Sequence, residues 1–313
     1  MSRFFNETRK TFKQQGAPVG PVGPAAVNVD EAVDAMKKTA ATDLLPQLVN
    51  VPAPEPLFGA LHEASELATK VAATRLENCR NIRLPRDQER SFLAAQYDPS
   101  MQAAVEAYRT LRTRLVKRQT EEGTRSMVIA SAQQGDGKTL TAMNLALCYA
   151  NIQNWPVLLV DADLRSRGLS RLMGDPDSPG LTQILEGNGQ YQASILSTNV
   201  PNLYVLPAGI TSTSPPELFS SPAWKEFMGW ACESFRLVIV DSPPVLDLAD
   251  FELISAGCES TLLVVRARTT ARESLVRASA AIDNTKLVGV LLNSADENRK
   301  SNYYYHQTPV HMN

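Results

Sequence analysis

Hydrophobic residues in the last two thirds of the chain fall into short runs, which helix-like stretches separate. None of these runs alternates apolar with polar residues, and this is typical of parallel strands that helices cover on both faces. Strands that alternate with helices over such a length predict an α/β domain, doubly wound around a mostly parallel sheet flanked by helices. A helix is also predicted over 101–118, ahead of the first strand. The predicted strands are 127–130, 157–160, 203–206, 237–240, 261–265 and 287–292.

The residues before this region lack the pattern and predict a largely irregular N-terminal extension. Segments 15–30 and 46–56 are rich in Pro, Ala and Gly without periodicity, which indicates extended linkers. Short helices are predicted over 3–13 and 61–76. The first contains Phe and basic residues, so that docking on a membrane surface or partner and a frayed terminal helix are both open interpretations. The predicted division is an extension over 1–95, the α/β domain over 96–298 and a flexible C-terminal tail over 299–313.

Composition and charge exclude several classes of protein. The 313 residues are 43% hydrophobic and 20% charged, as in ordinary globular proteins. A net charge of −2 predicts no nucleic-acid partner and no strong attraction to anionic lipid. Four cysteines without a CxxC pair argue against a disulfide framework or zinc site and fit a reducing cytoplasm. No apolar run approaches the ~18 residues of a membrane span, so we expect a cytoplasmic chain that reaches a membrane through a partner.

The motif SAQQGDGKT lies between the first predicted strand and a helix-like stretch, as a phosphate-binding loop does. Gly135 and Gly137 allow a tight turn whose N–H groups can point at phosphate oxygens, and the following helix adds its positive end. Lys138 supplies a cation for the β- and γ-phosphates, and Thr139 can ligate Mg²⁺. Ala132 stands where the general pattern has its first glycine. The predicted ATP-binding residues are Gln134, Gly135, Asp136, Gly137, Lys138, Thr139 and Leu140.

Acidic residues follow two further predicted strands. Asp161 and Asp163 end the run VLLVDADLR, and Asp241 ends LVIVDSPP. Ligands of open α/β sheets bind outside the carboxyl ends of the strands, where carboxylates can hold Mg²⁺ directly or through water. An aspartate at such a place is often only a helix N-cap, but three of them after a phosphate loop predict a nucleotide and metal site. The combination indicates a P-loop NTPase fold.

Over about residues 101–305 the sequence resembles the bacterial tyrosine kinases of capsule and exopolysaccharide systems, the CpsD/CapB type. The resemblance implies an ATP- and Mg²⁺-dependent tyrosine autokinase in which Lys138 binds phosphate. Thr139, Asp163 and Asp241 would hold or orient the metal, and Asp161 is the candidate base; Lys138, Asp161 and Asp163 are the implied catalytic residues. The matching segments are 131–139 (Walker A), 157–165 (Walker A′), 237–244 (Walker B), 180–187, 203–219 and 288–293.

Two further matches lie outside the nucleotide site. Glu106, Arg109 and Arg112 match the family's ExxRxxR motif, which implies assembly into a ring; helical spacing alone favours a solvated face with an internal Glu106–Arg109 pair. The tail carries three consecutive tyrosines, which the resemblance implies as phosphoacceptors, phosphorylated by an adjacent subunit. Packing of these aromatic residues on the domain is the alternative. The tyrosines are Tyr303, Tyr304 and Tyr305.

The resemblance also implies partners and a role. A separate membrane polysaccharide co-polymerase, or chain-length regulator, would activate the kinase and recruit it to the inner face of the plasma membrane. A tyrosine phosphatase would reverse its action, and the cycle would regulate polymerisation and export. Two alternatives are a MinD/ParA-like ATPase, whose KGGxGKT loop has a lysine where this chain has Gln133, and a non-catalytic, ATP-responsive scaffold for a polysaccharide exporter. The intact lysine, threonine and aspartates argue against a loss of catalysis.

Overall fold

An eight-stranded sheet forms the centre of the computed structural model, which describes residues 79–85, 102–246 and 249–294. Across the sheet the order is β1-β4-β5-β3-β6-β2-β7-β8, and every pair is parallel except β4 with β5. The predicted α/β class is confirmed, and each of the six predicted strands lies within an observed one. The strands are β1 (Arg80–Ile82), β2 (Ser126–Ser131), β3 (Val157–Asp161), β4 (Leu196–Thr198), β5 (Leu203–Leu206), β6 (Leu237–Asp241), β7 (Ser260–Arg266) and β8 (Leu287–Asn293).

Helices cover both faces of the sheet, as the continuous apolar runs predict. The first helix continues to residue 122, beyond the predicted end at 118. None of the helices in the described ranges is both long and apolar enough to cross a bilayer. The helices are α1 (Gln102–Glu122), α2 (Lys138–Ala150), α3 (Gly168–Leu172), α4 (Leu181–Leu185), α5 (Tyr191–Ser194), α6 (Pro215–Phe219), α7 (Pro222–Ser234), α8 (Asp250–Ala256) and α9 (Arg272–Ala281).

Two apolar cores hold the layers together, one on each face of the sheet. The core that contains Phe227 and Phe251 packs α4, α6, α7, α8 and α9 against one face. The core that contains Leu115 and Tyr149 packs α1, α2 and α3 against the other. Ten of the thirteen residues of α2 are buried, because this helix lies between the sheet and α1. The helix that follows the phosphate loop is therefore fixed along most of its length.

The edge strand β1 and its neighbour β4 are absent from the sequence prediction, because three-residue strands leave no readable apolar run. Arg80 fixes β1 by bonding to the Asp175 carboxylate at 2.9 Å and to the Ser178 hydroxyl. The Leu84 N–H donates to the Asn199 side chain at 2.8 Å. A short part of the predicted extension therefore joins the sheet. The predicted linkers, the helices over 3–13 and 61–76, and the tail over 299–313 lie outside the described residues.

Candidate active site

The three predicted acidic residues and the phosphate loop lie at one edge of the sheet. Strands β2, β3 and β6 are neighbours, with β6 in the middle, and the chain leaves each of them at its carboxyl end. Asp161 and Asp241 are direct partners in the β3–β6 register, and the Ala162 N–H donates to the Asp241 carbonyl at 2.9 Å. The parallel pairing therefore brings residues that are far apart in sequence to the same place.

The phosphate loop has the backbone that the sequence predicts. Gly135 and Gly137 have φ angles of 89° and 97°, in the left-handed region that favours glycine, and α2 begins at Lys138. A cavity of about 760 Å³ opens beside the loop. Six predicted ATP-binding residues line it, namely Gln134, Gly135, Gly137, Lys138, Thr139 and Leu140.

Asp136, the remaining predicted ATP-binding residue, directs its carboxylate into the protein instead of the cavity. Its side chain is buried and accepts hydrogen bonds from the Gln133 N–H at 3.0 Å and the Thr270 hydroxyl at 2.7 Å. The Asn293 amide donates to the Asp136 carbonyl at 2.9 Å and occupies the space beside Gly137. The turn after β7 and the end of β8 thus hold the loop in place. No sequence signal pointed to Thr270; Asn293 ends the 288–293 match.

Lys138 forms an ion pair with Asp163 at 3.1 Å inside the cavity. The two side chains are only 11% and 4% exposed. Burial lowers the pKa of Lys138, but attraction from Asp241 and Asp163 outweighs burial, so that the pKa lies above its ordinary value. The amine is therefore a cation, held at the N-terminus of α2, where a phosphate group would be attracted by both the lysine and the helix.

Asp161 and Asp241 lie behind this ion pair and are fully buried. One Asp161 oxygen accepts bonds from Ser170, whereas its Oδ1 and both oxygens of Asp241 have no hydrogen-bond partner among the described residues. Burial raises the pKa of Asp161 to about 6, against the Ser170 bonds. Burial also raises the pKa of Asp241 to about 8, and the Lys138 cation and the Thr139 hydroxyl oppose this rise.

The unpartnered carboxylate oxygens fit a cation-binding site. Burying an unpaired carboxylate is costly unless a cation or a proton neutralises it. Within the described ranges no three His, Cys, Asp or Glu side chains are grouped to hold a metal by themselves. Mg²⁺ in phosphotransfer sites does not need such a cage, because one or two carboxylates, phosphate oxygens and waters complete its shell. Thr139, Asp163 and Asp241 match that donor set.

Cationic and apolar residues complete the lining of the cavity. Arg165 is fixed there by two bonds to the buried Asp250 carboxylate, at 2.7 and 3.2 Å. Arg165 belongs to the VLLVDADLR motif, but nothing in the sequence pointed to Asp250 or to Arg171. The lining residues outside the phosphate loop are Asp163, Arg165, Ser166, Arg171, Leu172, Pro243 and Pro244.

The remaining predicted site residues lie away from the cavity or outside the described ranges. Arg109 pairs with Glu106 at 2.5 Å within α1, which is the internal pair that helical spacing favours. Arg112 donates to the carbonyl of Cys148 in the last turn of α2, at 3.0 Å. The three tail tyrosines are among the residues that the structure does not describe, so their role as acceptors stays a prediction.

Comparisons with known proteins cover this same region. A family model described as an AAA domain matches residues 124–289. Tyrosine-protein kinase YwqD of Bacillus subtilis (strain 168) is 33% identical over 205 residues, which are 65% of this chain and 86% of that protein. Tyrosine-protein kinase CpsD of Streptococcus agalactiae is 30% identical, over 55% of this chain and 76% of that protein. The kinase domain of the Escherichia coli tyrosine kinase ETK matches with a TM-score of 0.59 and 27% identity, over 74% of this chain and 94% of that one.

The matched region contains the parts that phosphoryl transfer needs. It runs from the start of β2 into β8 and includes the phosphate loop, the lysine and the three aspartates. A cavity lined by Lys138 and Arg165, with buried carboxylates near the lysine, can neutralise and position transferring phosphate, which is the main requirement of this chemistry. The similar proteins are named as tyrosine kinases. The chain therefore belongs to the bacterial tyrosine kinase family of the CpsD/CapB type.

Proposed function

We propose that this tyrosine kinase binds Mg²⁺-ATP in the described cavity and transfers the γ-phosphoryl group to tyrosines of its own tail, Tyr303, Tyr304 and Tyr305. One observation carries the proposal. The ammonium of Lys138 lies at the start of α2, and beside it Asp161 and Asp241 keep carboxylate oxygens without partners. Such a site attracts phosphate on one side and a cation on the other.

Each residue of the site has a separate task in this proposal. The Lys138 ammonium leaves its ion pair with Asp163 and binds the phosphates, together with N–H groups of the glycine-rich loop. The Thr139 hydroxyl and the carboxylates of Asp163 and Asp241 would hold Mg²⁺, which would supply positive charge to neutralise the transferring phosphate.

Asp161 is the proposed acceptor of the tyrosine proton. The phenol oxygen bonds to the γ-phosphorus, the bond to the bridging oxygen breaks, ADP leaves, and the phenol proton passes to Asp161. A carboxylate is a weak base toward a phenol with a pKa of ~10. Burial raises the pKa of Asp161 to about 6 and narrows that gap. Late proton transfer then suffices, because positioning and charge neutralisation provide most of the catalysis.

Asp161→Asn tests this assignment. The amide keeps the shape of the side chain but cannot accept the proton, so tyrosine phosphorylation should fall by roughly 100-fold or more. ADP affinity should change little, because the assigned phosphate and metal contacts remain. Rates are measured by anti-phosphotyrosine detection and ADP binding by calorimetry. A variant that phosphorylates tyrosine at the original rate refutes the assignment.

Phosphorylation of the tail in trans, within a ring of subunits, is the second part of the proposal. Each phosphate adds roughly −1.5 to −2 charges, and successive charges repel one another, which would loosen a ring. The Lys138→Met variant with its tail intact is mixed with an active chain whose three tail tyrosines are replaced by Phe. Phosphate on the Lys138→Met chain supports transfer in trans. Phosphorylation that occurs only when Lys138 and the tail tyrosines are in the same chain contradicts transfer in trans.

Control of exopolysaccharide or capsule production, through a membrane co-polymerase and a tyrosine phosphatase, completes the proposal. The supporting observation is the similarity to kinases of this family, and the alternative is a scaffold whose catalysis is dispensable. Polymer output is compared in cells that carry the original chain or Lys138→Met. We expect the variant to change the amount or length of polymer. Output that stays normal without phosphotyrosine favours the scaffold.

A further inference from the structure

We infer that Ser170 is a positioning residue for Asp161, and that its hydroxyl fixes the carboxylate so that Oδ1 faces the reaction. Ser170 lies in α3, outside the motifs that the sequence analysis assigned to catalysis. The inference deepens the proposed function and rests on it, because Asp161 is the proposed acceptor of the tyrosine proton.

Two hydrogen bonds from one residue hold the same carboxylate oxygen. Asp161 Oδ2 accepts the Ser170 N–H at 2.8 Å and the Ser170 hydroxyl at 2.7 Å. Both side chains are fully buried, so water does not compete for these bonds. Hydrogen bonds to a buried carboxylate are among the stronger ones in proteins. Asp161 therefore has one saturated oxygen and one oxygen without a partner.

The direction of the Ser170 hydroxyl is itself determined by the fold. Its Oγ accepts the backbone N–H of Ala208 at 3.0 Å, just beyond the end of β5. With one lone pair engaged by that donor, the hydroxyl proton is directed at Asp161 Oδ2. A backbone N–H just after β5 thus orients Ser170, and Ser170 orients the carboxylate at the end of β3.

The segment after β3 ties this arrangement to the rest of the site. The Ser166 N–H donates to Asp163 Oδ1 at 3.1 Å, and the Arg167 N–H donates to the Asp163 carbonyl at 2.7 Å. The same segment contributes Arg171 and Leu172 to the wall of the cavity. Hydrogen bonds to Asp163 therefore hold the segment that leads into α3, and the end of α3 lines the cavity. Ser170 lies in this short helix.

Loss of the hydroxyl would leave the Ser170 N–H as the donor to Asp161 Oδ2. The carboxylate could then rotate toward the Lys138 ammonium, which attracts it. A rotated carboxylate is a poorly placed proton acceptor, whereas the contacts that bind nucleotide are unchanged. A positioning role therefore predicts a loss in kcat for tyrosine phosphorylation without a matching loss of nucleotide affinity.

Variants of Ser170 and of a second buried serine test this prediction. In Ser170→Ala, kcat for tyrosine phosphorylation should fall roughly tenfold, whereas the KM for ATP should stay within about twofold. Ser170→Thr retains the hydroxyl and should restore most of the rate. Ser260→Ala is the matched control, because Ser260 is equally buried and bonds the Ser126 carbonyl at 2.8 Å at the opposite end of the sheet. If Ser170→Ala does not fold, Ser170→Cys, with its weaker donor, takes its place.

The double variant separates this inference from the proposed function. In an Asp161→Asn background Ser170→Ala should lower the rate no further, because Ser170 acts through Asp161. A further tenfold loss in the double variant overturns the role of Ser170. The same holds if Ser170→Ala has an unchanged kcat while Asp161→Asn is slow, and in both cases the assignment of Asp161 stands. An Asp161→Asn enzyme that works at the original rate overturns the assignment of Asp161 itself.

Discussion

Replacing Asp241 by Asn should stabilise the nucleotide-free kinase while it removes activity. Asp241 is fully buried, and neither carboxylate oxygen has a hydrogen-bond partner among the described residues. The folded protein therefore tolerates this charge only at a cost, which bound metal and nucleotide would relieve. Asn has nearly the same shape and has no charge to desolvate.

The size and pH dependence of the effect follow from the buried charge. The pKa of Asp241 is 3.8 as an ordinary aspartate and about 8 in the folded protein, chiefly through burial. Between these values the folded state binds more protons than the unfolded state, so Asp241 makes stability fall as pH rises. An unsatisfied buried group costs about 1–3 kcal/mol and more when charged. A gain of about 2 kcal/mol raises the Tm of a domain of this size by about 4–8 °C.

Thermal unfolding of the metal-free and nucleotide-free protein between pH 5 and pH 8 measures this effect. The difference in Tm between Asp241→Asn and the original chain should grow with pH and reach the stated range near pH 8. Asp250→Asn is the control, because Asp250 is equally buried but bonded to Arg165 at 2.7 Å, and its replacement should lower the Tm. An Asp241→Asn variant that is destabilised like the control, or whose Tm difference does not grow with pH, refutes the reasoning.

Three further variants test the phosphate loop. Thr270→Val removes a hydroxyl bond to the buried Asp136 carboxylate, and the KM for ATP in steady-state kinetics should rise about tenfold; an unchanged KM contradicts a bracing role. Gly137→Ala should abolish binding of a fluorescent ADP analogue, because φ is 97° and a neighbouring side chain occupies the place of the new Cβ; retained binding contradicts this. Asp163→Asn removes the carboxylate that competes with phosphate for the Lys138 ammonium. Calorimetry in EDTA should therefore show that ATP without metal binds roughly fivefold tighter, and weaker binding would contradict this competition.

The central strands and the phosphate loop could be predicted because their signals are local. A buried parallel strand is a continuous apolar run, and the glycines of the loop precede the lysine that begins α2. The complete burial of the Asp161 and Asp241 carboxylates could not be predicted in this way. Asp161 and Asp241 end strands that become neighbours only in the folded sheet. Their burial, which raises both pKa values, depends on that pairing.

The supporting residues were missed because their contacts are long-range. Thr270 reaches Asp136 across 134 positions in sequence, and Asn293 reaches it across 157. Serine and threonine are common on the surface, so neither Ser170 nor Thr270 is distinguishable from a solvated residue before the chain is folded. The edge strand at Arg80 was missed for a different reason, since three residues hold no periodicity.

Phosphopeptide mass spectrometry after incubation with Mg²⁺-ATP tests whether this kinase phosphorylates the tyrosines of its own tail. The original chain and Lys138→Met are compared, with ATP hydrolysis measured in parallel and with the cytoplasmic segment of a candidate membrane partner added in a second series. We expect phosphate on Tyr303, Tyr304 or Tyr305 of the original chain and none on the variant. Hydrolysis of ATP without phosphotyrosine in either series would contradict the autokinase function and favour an ATPase or scaffold.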